Sequence, residues 1–255
     1  MKNFFIMTRG RTGSTAVIDE LGKIDAICAV QELFLKYTFK EKKDYEYIFN
    51  IIPPFDAWKM DKFRKFLPAL LYPDSARAHD YLKEAEAMCQ RRGEKIFGFK
   101  LLSHLLDERP YLGGLLKNRG YQAVYLTRNL ARQVLSGMVA AQRGYYNIQQ
   151  DIDDSRRYEI ELDKFQQLLI GEIEAVERDY ARLNEKDFSF VTVTYDEFIS
   201  NRRSFYEKIF ECLGLPIELP PHSNWKVLIK DVKYTVSNYD AVVERTTALG
   251  VPLDS

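Results

Sequence analysis

The sequence predicts an α/β protein: a three-layer, P-loop-like parallel sheet flanked by helices, with a helical insertion or cap. Short apolar runs alternate with longer stretches of helical periodicity along the chain. The first apolar run passes through a glycine-rich loop into a helix-like stretch. A length of 255 residues and an apolar content of 46% suit one large domain with a substantial core.

The chain opens with a strand, a loop and a helix. Residues 4–7, FFIM, are a run short enough for a buried parallel strand. The loop TRGRTG follows, and Ser14 or Thr15 is placed to cap a helix that ends at Gly22. AICAV, residues 26–30, is then predicted to form the second strand.

Residues 34–94 are predicted to be a mostly helical insertion or cap over the sheet. They are rich in aromatic and charged side chains, and IIPPF interrupts them near the middle. The stretch PDSARAHDYLKEAEAMCQRRG has the composition of a helix.

The rest of the chain repeats the alternation of strand and helix. Strands are predicted at 95–102, 121–127 and 188–198. Helices are predicted between them, and the stretch 160–185 carries one apolar stripe at steps of three and four residues. A basic C-terminal segment, 220–255, completes a single domain.

Composition excludes a global attraction for nucleic acid, because 37 basic side chains balance 37 acidic ones. Cys28, Cys89 and Cys212 match no zinc-binding spacing, so we expect free thiols in a reducing compartment. No stretch reaches the length of about 18 uncharged apolar residues that a membrane span needs. We expect a cytoplasmic protein without a transmembrane segment, and the composition leaves a homo-oligomer open.

The loop after the first strand has the features of an anion cradle. Backbone N–H groups and the helix dipole favour negative charge at a helix N-terminus. Glycines permit a tight backbone there, and Arg11 adds a positive charge with fork geometry. The predicted ligand-binding residues of this loop are Arg9, Gly10, Arg11, Thr12, Gly13, Ser14 and Thr15.

Two other interpretations of this loop compete with an anion site. An ordinary strand-to-helix turn with exposed arginines would have a similar sequence. A nucleotide-triphosphate loop would need a lysine after Gly13, where Ser14 stands, and no predicted strand ends in a carboxylate suited to magnesium. The nucleotide-triphosphate interpretation is therefore the weaker one.

A second candidate anion site follows the strand at 121–127. Arg128 stands at the end of this strand, where ligands of α/β proteins bind, and Ser136 lies in the next helix. Eight helical residues rise about 12 Å, so the arginine must fold back to meet the serine. Arg132 could assist, while a solvated arginine and a serine bonded to the backbone are the plainer alternative. Two such sites at one sheet edge suggest a ligand with two separated phosphates.

Three segments together resemble a known family. RTGST after the first strand, LTRNLARQVLSG after a later one and VTYDEFISN before the last helix are similar to the PAPS-dependent sulfotransferases. The resemblance is strongest to the bacterial branch that acts on carbohydrates and glycolipids, the trehalose, Nod-factor and lipopolysaccharide type. It implies sulfuryl transfer from 3′-phosphoadenosine 5′-phosphosulfate (PAPS) to a hydroxyl by in-line displacement, without metal, leaving adenosine 3′,5′-bisphosphate.

This resemblance also implies roles for the two anion sites. The first loop would bind the 5′-phosphosulfate, with Arg11 serving the leaving phosphate. Arg128 and Ser136 would bind the 3′-phosphate. Lys230 and Lys233, in the basic C-terminal segment, would close over that phosphate.

The acceptor hydroxyl also needs a general base. Glu32 in VQELF follows the second predicted strand, and the resemblance implies a glutamate base at a comparable point. An exposed glutamate at a helix start is the alternative interpretation. His104 in FGFKLLSHLL is the second candidate base.

Other functional classes remain open from the sequence alone. A degenerate P-loop kinase for a small molecule would bind ATP and need magnesium. A non-catalytic nucleotide-binding protein would tolerate the loss of Glu32. Selection of the acceptor, a small molecule or glycolipid, is expected to lie with residues 34–92 and 140–160.

Overall fold

The structure is a computed structural model that describes residues 2–36, 52–63, 72–146, 155–227, 229 and 231–253. Its centre is a five-stranded, all-parallel sheet with the strand order β2-β3-β1-β4-β5. The strands are β1 (Lys2–Thr8), β2 (Ile27–Val30), β3 (Ile96–Leu102), β4 (Gln122–Thr127) and β5 (Phe190–Thr194). The predicted parallel sheet flanked by helices is confirmed.

Helices connect the strands and cover both sheet faces. They are α1 (Ser14–Leu21), α2 (Phe55–Phe63), α3 (Asp74–Arg91), α4 (Leu105–Glu108), α5 (Tyr111–Asn118), α6 (Leu130–Arg143), α7 (Leu162–Glu185), α8 (Tyr195–Ser200), α9 (Arg202–Leu213), α10 (Val232–Thr235) and α11 (Tyr239–Ala248). None of these helices, within the described ranges, is both long and apolar enough to cross a bilayer.

Side chains of β1 alternate between two cores. Phe4 and Ile6 pack with α1 and α9 on one face of the sheet. Phe5 and Met7 pack with α3 and α5 on the other face. Burying an apolar side chain of this size contributes about 2 kcal/mol, which explains why the first apolar run becomes the central strand.

The described part of residues 34–94 includes α2 and α3. Tyr81, Leu82 and Cys89 of α3 are buried against Phe97 and Phe99 of β3. Because parallel strands need a long crossover connection, α3 supplies the helix between β2 and β3. Residues 37–51 and 64–71 lie outside the described residues. The division of the chain into a core and a cap stays a prediction.

The fifth strand is shorter than predicted. The prediction ran over 188–198, but β5 ends at Thr194 and α8 begins at Tyr195. Thr194 and Glu197 form a capping box, in which the backbone N–H of each donates to the other's side chain at 3.1 Å. This local capping overrides the strand-like alternation of the sequence.

A buried carboxylate joins α1 to the C-terminal linker, the described residues 214–227 that follow α9. Glu20 is 2% exposed and accepts hydrogen bonds from Arg202 and Tyr206 of α9. It also accepts one from the backbone N–H of Ser223, at 2.8 Å. Glu20 therefore holds α1 against α9 and against the linker at Ser223.

Replacing Gly98 with Ala is expected to destabilise the fold by about 2 kcal/mol. Gly98 of β3 is opposite Phe4, and a Cβ there would lie 2.1 Å from the fully buried Phe4 ring. Urea unfolding measures the change. Gly114→Ala is the control, because a Cβ in that helix meets no atom within 4 Å and alanine stabilises a helix interior by up to about 1 kcal/mol. Equal stability of Gly98→Ala and wild type would contradict this packing.

Candidate functional site

All five strands contribute to one cleft at their carboxyl ends. Its lining includes Arg11 beyond β1, Glu32 beyond β2, Lys100 near the end of β3, Arg128 beyond β4 and Tyr195 beyond β5. The connections of the central strands pack on opposite faces, α1 on one and α5 on the other. Such an arrangement opens a ligand crevice at the carboxyl edge of a parallel sheet.

The loop between β1 and α1 is held in a left-handed backbone at two positions. Arg11 has φ 67° and Gly13 has φ 78°. Neither Ser14 nor Thr15 caps the helix as predicted, because Gly13 occupies the N-cap without a side-chain bond. A Cβ at Gly13 would lie 2.4 Å from the Tyr195 ring, so only glycine fits. The first backbone N–H groups of α1 thus remain available to an anion.

Arg11 extends its side chain along the cleft toward α6. It donates to the carbonyl oxygen of Tyr146 at 2.5 Å and to Oγ of Ser136 at 3.4 Å. Its guanidinium carbon lies 5.8 Å from the centre of the Tyr146 ring. Ser136 is 3% exposed, so Arg11 brings a buried hydroxyl of α6 into contact with the loop.

Arg128 packs beside Arg11. Its guanidinium stacks 4.4 Å above the ring of Tyr195 and donates to the carbonyl oxygen of Arg11 at 3.0 Å. The Nε atoms of both arginines are buried without an acceptor among the described residues. Neither arginine forms an ion pair with a carboxylate of the described chain. The cleft therefore holds two cationic groups whose charge a bound anion would neutralise.

The pKa values of both arginines reflect this uncompensated charge. Burial lowers the pKa of Arg11, and the neighbouring charge of Arg128 lowers it further. Burial is also the main cause that lowers the pKa of Arg128. Charged groups whose pKa values are shifted by burial in a cleft are typical of a functional site.

A buried ion pair lies at another part of the cleft. Nζ of Lys100 is 2.5 Å from Oε1 of Glu32 and 3.3 Å from Oγ1 of Thr15. Lys100 is 6% and Glu32 9% exposed. One cation therefore contacts both the predicted base and the helix that follows the loop. Sequence reasoning missed Lys100, although a lysine inside the apolar strand IFGFKLL is a usable signal.

Two residues of the predicted loop site point away from this cleft. Arg9 forms a two-pronged ion pair with Glu172 of α7, with N–O distances of 3.0 Å, and donates to Ser103. Thr12 is fully buried, and its hydroxyl bonds to that of Thr8 at 2.5 Å. Within the loop, Gly10, Arg11, Gly13, Ser14 and Thr15 line the cleft.

Other predicted residues also lie elsewhere. His104 is exposed at the start of α4 and is not among the residues that line the cleft. Lys233 is exposed on α10, whose first turn is capped by Asp231, and does not line the cleft either. Lys230 lies outside the described residues. Arg132 donates to the carbonyl oxygen of Leu253, at 2.7 Å.

The C-terminal linker contributes residues that sequence reasoning did not select. Trp225 and Lys226 line the cleft, and Tyr195 forms its floor beside Gly13. The sequence predicts that this basic segment brings Lys230 and Lys233 to the ligand. Which of its lysines reaches the cleft depends on how the linker packs against α1. The described cation that this segment brings to the cleft is Lys226.

No protein-family model matches the chain, and no curated protein matches it. Its fold is similar to that of a sulfotransferase from Alicyclobacillus acidocaldarius, with 14% identity, a TM-score of 0.46 and coverage of 98% of this chain and 95% of that one. The sulfotransferase domain from the curacin biosynthetic pathway is 11% identical, with a TM-score of 0.47 and coverage of 100% and 93%. A mouse sulfotransferase complexed with PAP is 10% identical, with a TM-score of 0.47 and coverage of 85% and 60%. These likenesses concern the backbone fold.

Proposed function

We propose that this chain is a PAPS-dependent sulfotransferase. It would transfer a sulfuryl group from PAPS to a hydroxyl of a carbohydrate or glycolipid-type acceptor by in-line displacement. The observation that carries the proposal is the pair Arg11 and Arg128, two half-buried arginines whose Nε atoms are buried without an acceptor among the described residues. The Arg128 guanidinium donates to the backbone carbonyl oxygen of Arg11, and neither arginine forms an ion pair with a described carboxylate. Two neighbouring cationic groups in one cleft support a ligand with more than one anionic group.

The residues of the cleft fit the two ends of this nucleotide. The N-terminus of α1 and the guanidinium of Arg11 suit the 5′-phosphosulfate. Arg128 and the buried hydroxyl of Ser136 suit the 3′-phosphate. Trp225 lines the same cleft and offers an aromatic face for the adenine base.

Chemistry at this site needs alignment, charge stabilisation and one proton acceptor. PAPS, when bound, supplies an electrophilic sulfur. The acceptor oxygen forms a bond to that sulfur while the bond from sulfur to the phosphate oxygen breaks. Glu32 takes the hydroxyl proton, and Arg11 with the loop N–H groups stabilises the negative charge that develops on the leaving phosphate.

Lys100 links these two tasks. Its ammonium contacts the carboxylate of Glu32 and the hydroxyl of Thr15. It positions the carboxylate of the base and adds positive charge beside the loop. Glu32 follows β2 and Lys100 lies on the adjacent strand β3, so the pairing of these strands brings the two side chains together.

A magnesium-dependent kinase is the second candidate and fits the cleft less well. Beside β1, strand β3 ends at Leu102 and is followed by Ser103 rather than by a carboxylate. Glu32, the carboxylate that lines the described cleft, is already paired with Lys100. Hard cations prefer carboxylate oxygens that are free to coordinate.

A cytoplasmic location belongs to the same proposal. All three cysteines, Cys28, Cys89 and Cys212, are free thiols. Free thiols favour a reducing compartment.

Adenosine 3′,5′-bisphosphate, in the presence of EDTA, is expected to raise the melting temperature. At about 100 times its Kd a ligand adds about 2.7 kcal/mol of stability, which corresponds to a rise of about 5–10 °C for a domain of this size. Adenosine 5′-monophosphate is the control, because it lacks the 3′-phosphate that Arg128 and Ser136 would bind. Stabilisation by ATP with magnesium, and none by the bisphosphate, would replace this proposal with the kinase.

A further inference from the structure

Two of the three cysteines lie together at the edge of the sheet. Cys28 of β2 and Cys89 of α3 are both buried in the core on the face that α3 covers. Their sulfur atoms and a carboxylate oxygen of Glu94 lie within 4.8 Å of one another. None of these three residues lines the cleft at the carboxyl ends of the strands. The cluster is therefore separate from the site of the proposed sulfuryl transfer.

The turn that ends α3 brings Glu94 back beside Cys89. The backbone N–H groups of Arg92 and Glu94 both donate to the carbonyl oxygen of Cys89, at 3.0 and 3.2 Å. Gly93 adopts the left-handed φ of 92° that closes such a turn. Cys28 reaches the pair from another strand, so no spacing along the sequence indicates this cluster.

The carboxylate of Glu94 is only half satisfied. Its side chain is 10% exposed, and Oε1 forms an ion pair with Arg92 at 3.0 Å. Oε2 is buried and accepts no hydrogen bond from the described residues. A buried carboxylate oxygen without a donor costs free energy, which a bound cation would offset.

Two sulfur atoms and one oxygen select the kind of cation. Mg²⁺ and Ca²⁺ prefer oxygen ligands throughout, whereas Zn²⁺ accepts thiolates and carboxylates together. Zinc bonds of about 2.0–2.3 Å place tetrahedral ligand atoms about 3.3–3.8 Å apart, so the cluster has to close by at most about 1.5 Å. Two thiolates and one carboxylate carry three negative charges, which a divalent cation and Arg92 would balance.

We propose that Cys28, Cys89 and Glu94 form a structural site for a divalent cation of the Zn²⁺ class. No further His, Cys, Asp or Glu of the described residues belongs to this cluster, so water would take the fourth position. Water would reach it beside Glu94, because residues 91–93 are exposed. The metal would tie the end of α3 to the edge strand β2, which leads to Glu32.

Binding at this site must displace a proton. A hydrogen bond with the Cys28 thiol raises the pKa of Cys89, and burial raises it further. Because Zn²⁺ binds the thiolate, part of the binding free energy goes into removing this proton. We therefore expect a Kd in the micromolar range, weaker than that of a structural site with four protein ligands.

Titration with Co²⁺ and Zn²⁺ tests the site. The full chain is reduced with a phosphine, freed of metal by a chelator and dialysed. One Co²⁺ per chain is expected to produce a sulfur-to-cobalt charge-transfer band, which Zn²⁺ removes by displacement. Zn²⁺ at about 100 times its Kd is expected to raise the melting temperature by about 5–10 °C. Mg²⁺ at the same concentration is expected to leave it unchanged.

Variants connect these signals to the three residues. Cys28→Ala is expected to abolish both the band and the Zn²⁺ shift. Glu94→Gln keeps the shape of the side chain and is expected to weaken Zn²⁺ binding at least about tenfold, since even partners of metal ligands contribute about 10- to 100-fold. Cys212→Ala is the control, because this thiol of α9 lies outside the cluster, and it is expected to keep both signals.

Each shift is measured against the melting temperature of the same variant without metal, so lost stability is not mistaken for lost binding. The site would be overturned by the absence of a charge-transfer band in the wild type, by an unchanged band in Cys28→Ala, or by an equal shift with Mg²⁺. A disulfide between Cys28 and Cys89 that forms with hydrogen peroxide, together with no Zn²⁺ shift in the reduced protein, would make the two thiols a redox pair instead.

Discussion

We expect Glu32→Gln to lower kcat by about 10³-fold, because a positioned general base contributes a factor of about 10² to 10⁴ to the rate. The amide keeps the shape of the carboxylate but does not take a proton. Affinity for adenosine 3′,5′-bisphosphate is expected to stay within about twofold, since the product makes no demand on the base. Transfer of labelled sulfate from PAPS and a separate nucleotide titration measure the two quantities.

The variant also leaves Lys100 without its charged partner. Breaking a buried ion pair on one side costs about 3–5 kcal/mol, so the melting temperature of the bisphosphate complex must be recorded alongside kcat. His104→Gln is the comparison variant, because His104 is exposed and outside the cleft. Unchanged turnover in Glu32→Gln together with a collapse in His104→Gln would make the histidine the base.

Arg128→Met is expected to weaken bisphosphate binding by about 100-fold, equivalent to about 2.7 kcal/mol. Adenosine 5′-monophosphate should lose much less, because the guanidinium is assigned to the 3′-phosphate. Without ligand the variant is expected to be more stable than wild type by about 1 kcal/mol, since methionine removes a cation that burial and the neighbouring charge of Arg132 disfavour. Isothermal titration and thermal unfolding measure these opposite effects.

Arg203→Met serves as the matched control for Arg128→Met. The Arg203 side chain is 80% exposed and pairs with Glu207 on the surface of α9. We expect Arg203→Met to change neither the affinity for the bisphosphate nor the stability without ligand. Full bisphosphate affinity in Arg128→Met would remove Arg128 from the nucleotide site.

The order of the strands and helices followed from the sequence because local patterns decide it. Four of the five strands carry apolar runs whose alternate residues face two cores, as Phe4 and Phe5 do. The limit of β5 was wrong because Thr194 and Glu197 cap the next helix. Strand alternation and helix capping compete within the same few residues, and the hydrogen bonds of the cap prevail.

The site was only partly predictable, since side-chain direction depends on backbone angles. Arg9 and Arg11 are both arginines of the same short loop, yet Arg11, with its left-handed φ of 67°, lines the cleft at the sheet edge, while Arg9 pairs with α7. Lys100 meets Glu32 through the pairing of β2 with β3, which no local pattern contains. The position of Lys226 in the cleft could not be predicted, because it depends on the path of the linker after α9.

The path of the linker limits how far Lys226 can move. The linker is tethered where the backbone N–H of Ser223 donates to the buried Glu20, three residues before Lys226. Three residues of extended chain span at most about 10 Å. The backbone of Lys226 therefore stays within that distance of the hydrogen-bonded Ser223. A movement of this segment over the cleft would therefore pivot at Ser223, which is bonded to α1, the same helix whose N-terminus forms the proposed anion site.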